Sequence, residues 1–119
     1  MADVTVLHNP ACSTSRHAID SAAEAEVDVE EVRYLKHPLD RDALLALLEK
    51  LEDEPAALVR KDSYFKDQGL DADDYTTPEQ VADLLVQHPR LMERPVLVRG
   101  ERAIIGRPKS RADAFLREA

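Results

Sequence analysis

Apolar and polar positions change their period several times along the chain. Val4-Thr5-Val6-Leu7 is a short β-branched run closed by Asn9-Pro10, which predicts a buried strand. Ala18, Ile19, Ala22 and Ala23 then recur at helical spacing and predict a helix from about Ser13 to Ala25. Val29 to Tyr34 alternates apolar and charged residues and predicts a second strand. The helical link between these strands is long enough for a parallel crossover, so the unit should be a right-handed βαβ.

His37-Pro38 breaks the chain. Asp40 reads as an N-cap, and Ala43, Leu44, Leu47, Leu48 and Leu51 form the apolar stripe of a helix behind it. Glu54-Pro55 opens a short helix with Ala57 and Leu58 inward and Arg60-Lys61 near its end, and Gly69 closes a weakly patterned stretch. Thr77-Pro78-Glu79-Gln80 combines a Thr N-cap, a first-turn proline and a capping-box Gln. Val81, Leu84, Leu85 and His88 carry that helix to Pro89. Arg94-Pro95-Val96-Leu97-Val98 and Ala103-Ile104-Ile105 flank Arg99-Gly100-Glu101-Arg102, a hairpin signature. Gly106 ends the second of these strands. Arg107-Pro108 leads to a terminal helix with Ala112, Phe115 and Leu116 inward.

The order β-α-β, helices, β-β-α is that of an α/β thioredoxin-like fold of the glutaredoxin type. Residues 1–119 are expected to form one domain, with a mostly helical insertion over about 38–90. The first two strands should be parallel and the hairpin antiparallel in the same sheet. In such a fold the proline that opens the hairpin strand faces the loop after the first strand and is commonly cis. Arg94-Pro95 holds that place.

Length and charge narrow the function. With 119 residues the chain can bury one core without staples. A net charge of −8 argues against nucleic acid and anionic membranes as partners, because both need a basic face. A local basic cluster in such a protein suits a small anion. One cysteine excludes an internal disulfide. Met-Ala-Asp lacks the basic and apolar regions of a signal peptide, and no apolar run approaches the ~20 residues of a membrane span. A reducing, cytoplasmic setting is expected.

The one cysteine lies in His8-Asn9-Pro10-Ala11-Cys12-Ser13-Thr14-Ser15-Arg16, between the first strand and the first helix. A lone cysteine is often only a small buried hydrophobe. At a helix N-terminus, free N–H groups and a partial positive charge favour the thiolate and can hold an anion. The loop is therefore expected to place a nucleophilic Cys12 in an oxyanion cradle. His8, as imidazolium, would lower the thiol pKa, and Ser15 could hydrogen-bond the thiolate. Arg16 lies beside the loop and reads as a capping or pairing residue of the first helix. His37 and His88 have no ligand spacing with any cysteine or acidic cluster, and no metal or bound cofactor is expected.

These residues, with Leu58-Val59-Arg60-Lys61, Gln87-His88-Pro89, Arg94-Pro95-Val96 and Arg107-Pro108 in that order, resemble the glutaredoxin-linked arsenate reductases of the thioredoxin superfamily, in its ArsC/Spx group. Ser13 stands where that family more often has glycine. The resemblance implies a catalytic Cys12 supported by His8 and Ser15, and arsenate bound by Arg60, Arg94 and Arg107. Guanidinium forks match such oxyanions bidentately. It further implies a thiol–arsenate adduct on Cys12. With no second cysteine, the next thiol must be external, glutathione or mycothiol as co-substrate. A glutaredoxin-like or thioredoxin partner would then resolve the mixed disulfide as arsenite leaves. An Spx-like regulator is the main rival, but it usually carries Cys-x-x-Cys, where this chain has Ser15. A tyrosine-phosphatase-like hydrolase needs Cys-x5-Arg, and position 18 is Ala18. A general thiol oxidoreductase, like a pure binding module, would not need three arginines.

Overall fold

The structure is a computed structural model, and it describes residues 3–118. β1 (Val4–Leu7) lies inside a four-stranded sheet. On one side it pairs in parallel with β2 (Val29–Val32), Val4 opposite Val29 and Leu7 opposite Val32. On the other it pairs antiparallel with β3 (Val96–Arg99), which pairs antiparallel with β4 (Arg102–Ile105). The strand order is β2-β1-β3-β4. α1 (Ser13–Glu24) makes the crossover between the parallel strands. α2 (Arg41–Lys50), α3 (Ser63–Asp67) and α4 (Pro78–Gln87) fill the insertion, and α5 (Lys109–Leu116) follows the hairpin. This is the expected thioredoxin-like α/β arrangement.

The period-two pattern of the strands divides the core. Val4, Val6, Leu97 and Ile104 face α1 and α5, where they meet Ala18, Ala22, Ala112 and Phe115. Leu7, Val96, Ala103 and Ile105 face the opposite way, onto Leu44, Leu48, Val81, Leu85 and Leu91 of the insertion. Hydrophobic residues on both faces of β1 and β3 explain why these strands read as continuous apolar runs.

Several local expectations need correction. β2 stops at Val32, two residues early, because Lys36 and His37 both donate their N–H to the Arg33 carbonyl and turn the chain. Tyr34 thereby leaves the sheet and enters the insertion core, 1% exposed. Ala23, Ala43 and Ala57 are exposed rather than inward, and Ser21 and Val59 are buried beside them. Pro55–Leu58 is a single 3₁₀ turn. The weakly patterned stretch contains α3, whose Asp62 cap accepts from Phe65 N–H at 3.1 Å. The capping box at Thr77 and Gln80 forms as read, and the hairpin turns at Gly100, whose φ of +59° requires a glycine-like backbone.

Candidate active site

β1 delivers the chain to its C-terminal end, where His8 donates its backbone N–H to Val32 O at 2.8 Å. A tight turn follows. Asn9 Oδ1 accepts from Ala11 N–H at 3.0 Å, and the Asn9 carbonyl accepts from Cys12 N–H at 3.0 Å. Cys12 itself is the N-cap of α1, with extended backbone and half-buried side chain. The Cys12 side chain makes no regular capping bond, and its sulfur faces the N–H groups of the first turn that have no partner within the helix. Burial pushes the thiol pKa up. The backbone N–H of Ser15, the Arg94 side chain, the backbone N–H of Thr14 and the charge of Arg107 outweigh that and hold it below its ordinary value.

The three arginines reach this loop by different routes. Arg107 touches the sulfur: its Nη2 donates to Cys12 Sγ at 3.2 Å, and its Nε donates to the Arg94 carbonyl at 2.7 Å. Arg94 faces both the Cys12 thiol and the Tyr34 hydroxyl, and its Nε is buried without a partner. Such an orphan donor is costly unless something fills it, and an anion would. Arg60 stands further out. Its Nη1 donates to Glu93 Oε1 at 3.3 Å and its Nε reaches Asp62 Oδ2 at 3.5 Å. Both Arg94-Pro95 and Arg107-Pro108 peptide bonds are cis. The first was expected and the second was not. An open cleft of about 330 Å³ leads to Arg94 between Asn9, Leu35, Asp62 and Arg90.

Two sequence readings change. His8 is buried, and that burial outweighs the attraction of Glu31, 3.7 Å away, so its pKa is lowered and the neutral ring is favoured. This works against the imidazolium that the sequence suggested. With Nε2–H toward Glu31, Nδ1 accepts from the Ser15 hydroxyl at 2.7 Å. Ser15 Oγ in turn accepts from Asn9 N–H at 3.0 Å. The Ser15 side chain is thus spent on bracing the loop, and its backbone N–H is what meets the sulfur. Arg16 also braces, donating to the Pro10 carbonyl at 2.8 Å. His88 lies outside the site, against Tyr64 Oη at 2.9 Å.

Two residues near the cluster were not read from the sequence. Tyr34 gives its hydroxyl to the Met92 carbonyl at 3.4 Å, and burial pushes its pKa up. Its only sequence signal was an aromatic closing a strand. Glu93 sits between Arg60 and Arg107, and had no signal beyond being next to Arg94.

Known proteins resemble this chain over most of its length. The arsenate reductase of Acidiphilium multivorum is 34% identical over 99 residues, which are 82% of this chain and 70% of that protein. The uncharacterized protein YfgD of Escherichia coli is 37% identical over 107 residues, 88% of this chain and 89% of that one. Among solved structures, the putative arsenate reductase from Yersinia pestis superposes with a TM-score of 0.80 at 32% identity, covering 98% of this chain and 100% of its own. The ArsC family model spans residues 7–115, from the end of β1 into α5. With the fold, the cysteine loop and this match in agreement, the chain belongs to the ArsC family.

Proposed function

We propose that the chain is an arsenate reductase working with an external thiol. The observation that carries this reading is the Arg107 guanidinium 3.2 Å from Cys12 Sγ, with Arg94 beside it at the N-terminus of α1. Cations alone could activate a thiol. An Arg94 Nε–H left without a partner near that thiol suits a reaction between the thiolate and an oxyanion.

Arsenate would bind with its oxygens toward Arg94, Arg107 and, through the outer cluster, Arg60. The Cys12 thiolate attacks arsenic. A sulfur–arsenic bond forms, one arsenic–oxygen bond breaks, and that oxygen leaves as water after taking up protons. Arsenic is still As(V) at this point. A small thiol, glutathione or mycothiol, then attacks the adduct. Forming the sulfur–sulfur bond leaves the sulfur–arsenic electron pair on arsenic, which becomes As(III) and departs as arsenite. A glutaredoxin-like or thioredoxin partner resolves the mixed disulfide on Cys12. The single cysteine supports the external thiol. His8 and Ser15 serve as positioning residues, through the bonds already described. The chain acts as one thioredoxin-like domain in a reducing, cytoplasmic setting, its insertion over about 38–90 contributing Arg60 to the cluster.

The test is arsenate-dependent NADPH oxidation coupled through glutathione, glutaredoxin and glutathione reductase. Wild type should be active, Cys12→Ser inactive and Arg94→Ala strongly impaired. No activity with glutathione, mycothiol or thioredoxin systems would overturn the assignment.

A further inference from the structure

A carboxylate inside a cluster built for an anion needs a reason. Glu93 Oε1 is 3.3 Å from Arg60 Nη1 and 3.7 Å from Arg107 Nε, while the same Arg107 donates through Nη2 to Cys12 Sγ. The carboxylate is therefore one guanidinium away from the thiol. Its side chain is 23% exposed, so it is neither a deep core ion pair nor a free surface charge. The backbone fixes it there: Glu93 N–H donates to Leu58 O at 2.7 Å, and Arg60 N–H donates to Leu91 O at 2.6 Å. The two segments are thus stapled on both sides of the Arg60–Glu93 pair, next to the Val59–Met92 bridge.

We propose that Glu93 is a specificity-determining residue that selects oxyanions still carrying an O–H group. This deepens the arsenate reading and rests on it for the location of the anion. A carboxylate only accepts hydrogen bonds. Against a bare oxyanion it meets oxygen lone pairs and repels; against a hydroxyl-bearing one it accepts a charge-assisted bond. Arsenate and phosphate keep a proton at neutral and mildly alkaline pH, whereas sulfate has none. The arginines attract all three, and Glu93 sets arsenate and phosphate apart from sulfate. Specificity of this kind is a difference of affinities achieved by building in a repulsion against the wrong ligand. Removing one hydrogen bond to a charged group and one like-charge contact should move the ratio of affinities by about tenfold, a change of about 1.4 kcal/mol.

The experiment measures protection of the Cys12 thiol from iodoacetamide by phosphate and by sulfate, at mildly alkaline pH where both are dianions. Phosphate is the stable probe, since it does not oxidise the thiol. Wild type should be protected by phosphate at about tenfold lower concentration than by sulfate. Glu93→Gln, close in shape to the native residue, should bring the two concentrations together, mainly by improving sulfate, and Glu93→Ala should do the same. A role confined to lowering the local positive charge would improve both dianions equally and leave the ratio as it was, which would overturn the inference. Equal protection of wild type by both anions would overturn it as well. Failure of every oxyanion to protect Cys12 in wild type would instead count against the anion site itself. Far-ultraviolet circular dichroism establishes that each variant is folded.

Discussion

At the scale of single residues, the thiol is governed by a small number of groups whose signs are clear. Burial raises the Cys12 pKa, and two N–H groups and two guanidinium groups lower it. Arg107→Ala removes a charged donor at 3.2 Å from the sulfur, so the Cys12 pKa should rise toward its ordinary value. The pH dependence of Cys12 alkylation measures it directly. His8 works in the opposite sense to the usual paired histidine. Its folded pKa is lowered from 6.5, so the neutral ring contributes stability that is present above 6.5 and lost as pH falls through the folded value. Thermal melting from neutral to mildly acidic pH should show a loss that His8→Gln reduces. Tyr34→Phe should leave the fold intact but cost about tenfold in kcat/KM for arsenate, because it removes the hydroxyl that faces Arg94, and a bond to a charged group is about 1.5 kcal/mol. Unchanged kinetics would make Tyr34 a packing residue only.

At the scale of elements, positions between strands and helices set the site. Gly106 ends β4 and precedes Arg107. A Cβ there would lie 2.7 Å from Leu97 Cδ1, 2.9 Å from Pro95 Cγ and 3.3 Å from Ala112 Cβ. Leucine can move, but a proline ring in the neighbouring loop yields little. Gly106→Ala should therefore destabilise by about 1–3 kcal/mol, read by denaturant unfolding, and disturb the path of Arg107. The motifs most legible in the sequence were also at such boundaries. Thr77-Pro78-Glu79-Gln80 carried its own capping chemistry. α3 was missed because its five residues bury only Phe65, too short for a helical period to appear. β2 was read too long because Tyr34 fits strand alternation while its backbone is already turning.

At the scale of the whole molecule, the insertion is tied to the sheet as well as packed on it. Residues 51–53 run beside β4. Leu51 bridges Ala103 in parallel, Glu52 N–H donates to Ala103 O at 2.8 Å, and Asp53 Oδ2 accepts from Ile105 N–H at 3.0 Å. Asp53 Oδ1 also takes Arg111 Nη1, joining β4 to α5. This covers part of a sheet edge that would otherwise present unpaired groups. Asp53→Ala should lower stability by about 1–3 kcal/mol, since it leaves the Ile105 N–H without its acceptor and the Arg111 guanidinium with only the Ile105 carbonyl, and calorimetry should show it as a lower Tm. The exposed Arg102 pairs with Glu52 and Glu118 should matter far less, because solvent screens them.

Local sequence determined the strands, the capped helices and the cysteine loop, because each is set by neighbours a few residues away: β-branching, caps, prolines and helical spacing. The order of those elements was enough for the thioredoxin-like α/β arrangement. What tertiary structure decided was every relation across long sequence separation. Cys12 and Arg107 are far apart in the chain yet 3.2 Å apart in space. The lowering of the His8 pKa came from burial, which no local pattern reports. The placing of Glu93 between two arginines came from the pairing of residues 58–60 with 91–93. Charge and hydrogen bonding depend on distance in space, and that distance exists only once the chain has folded.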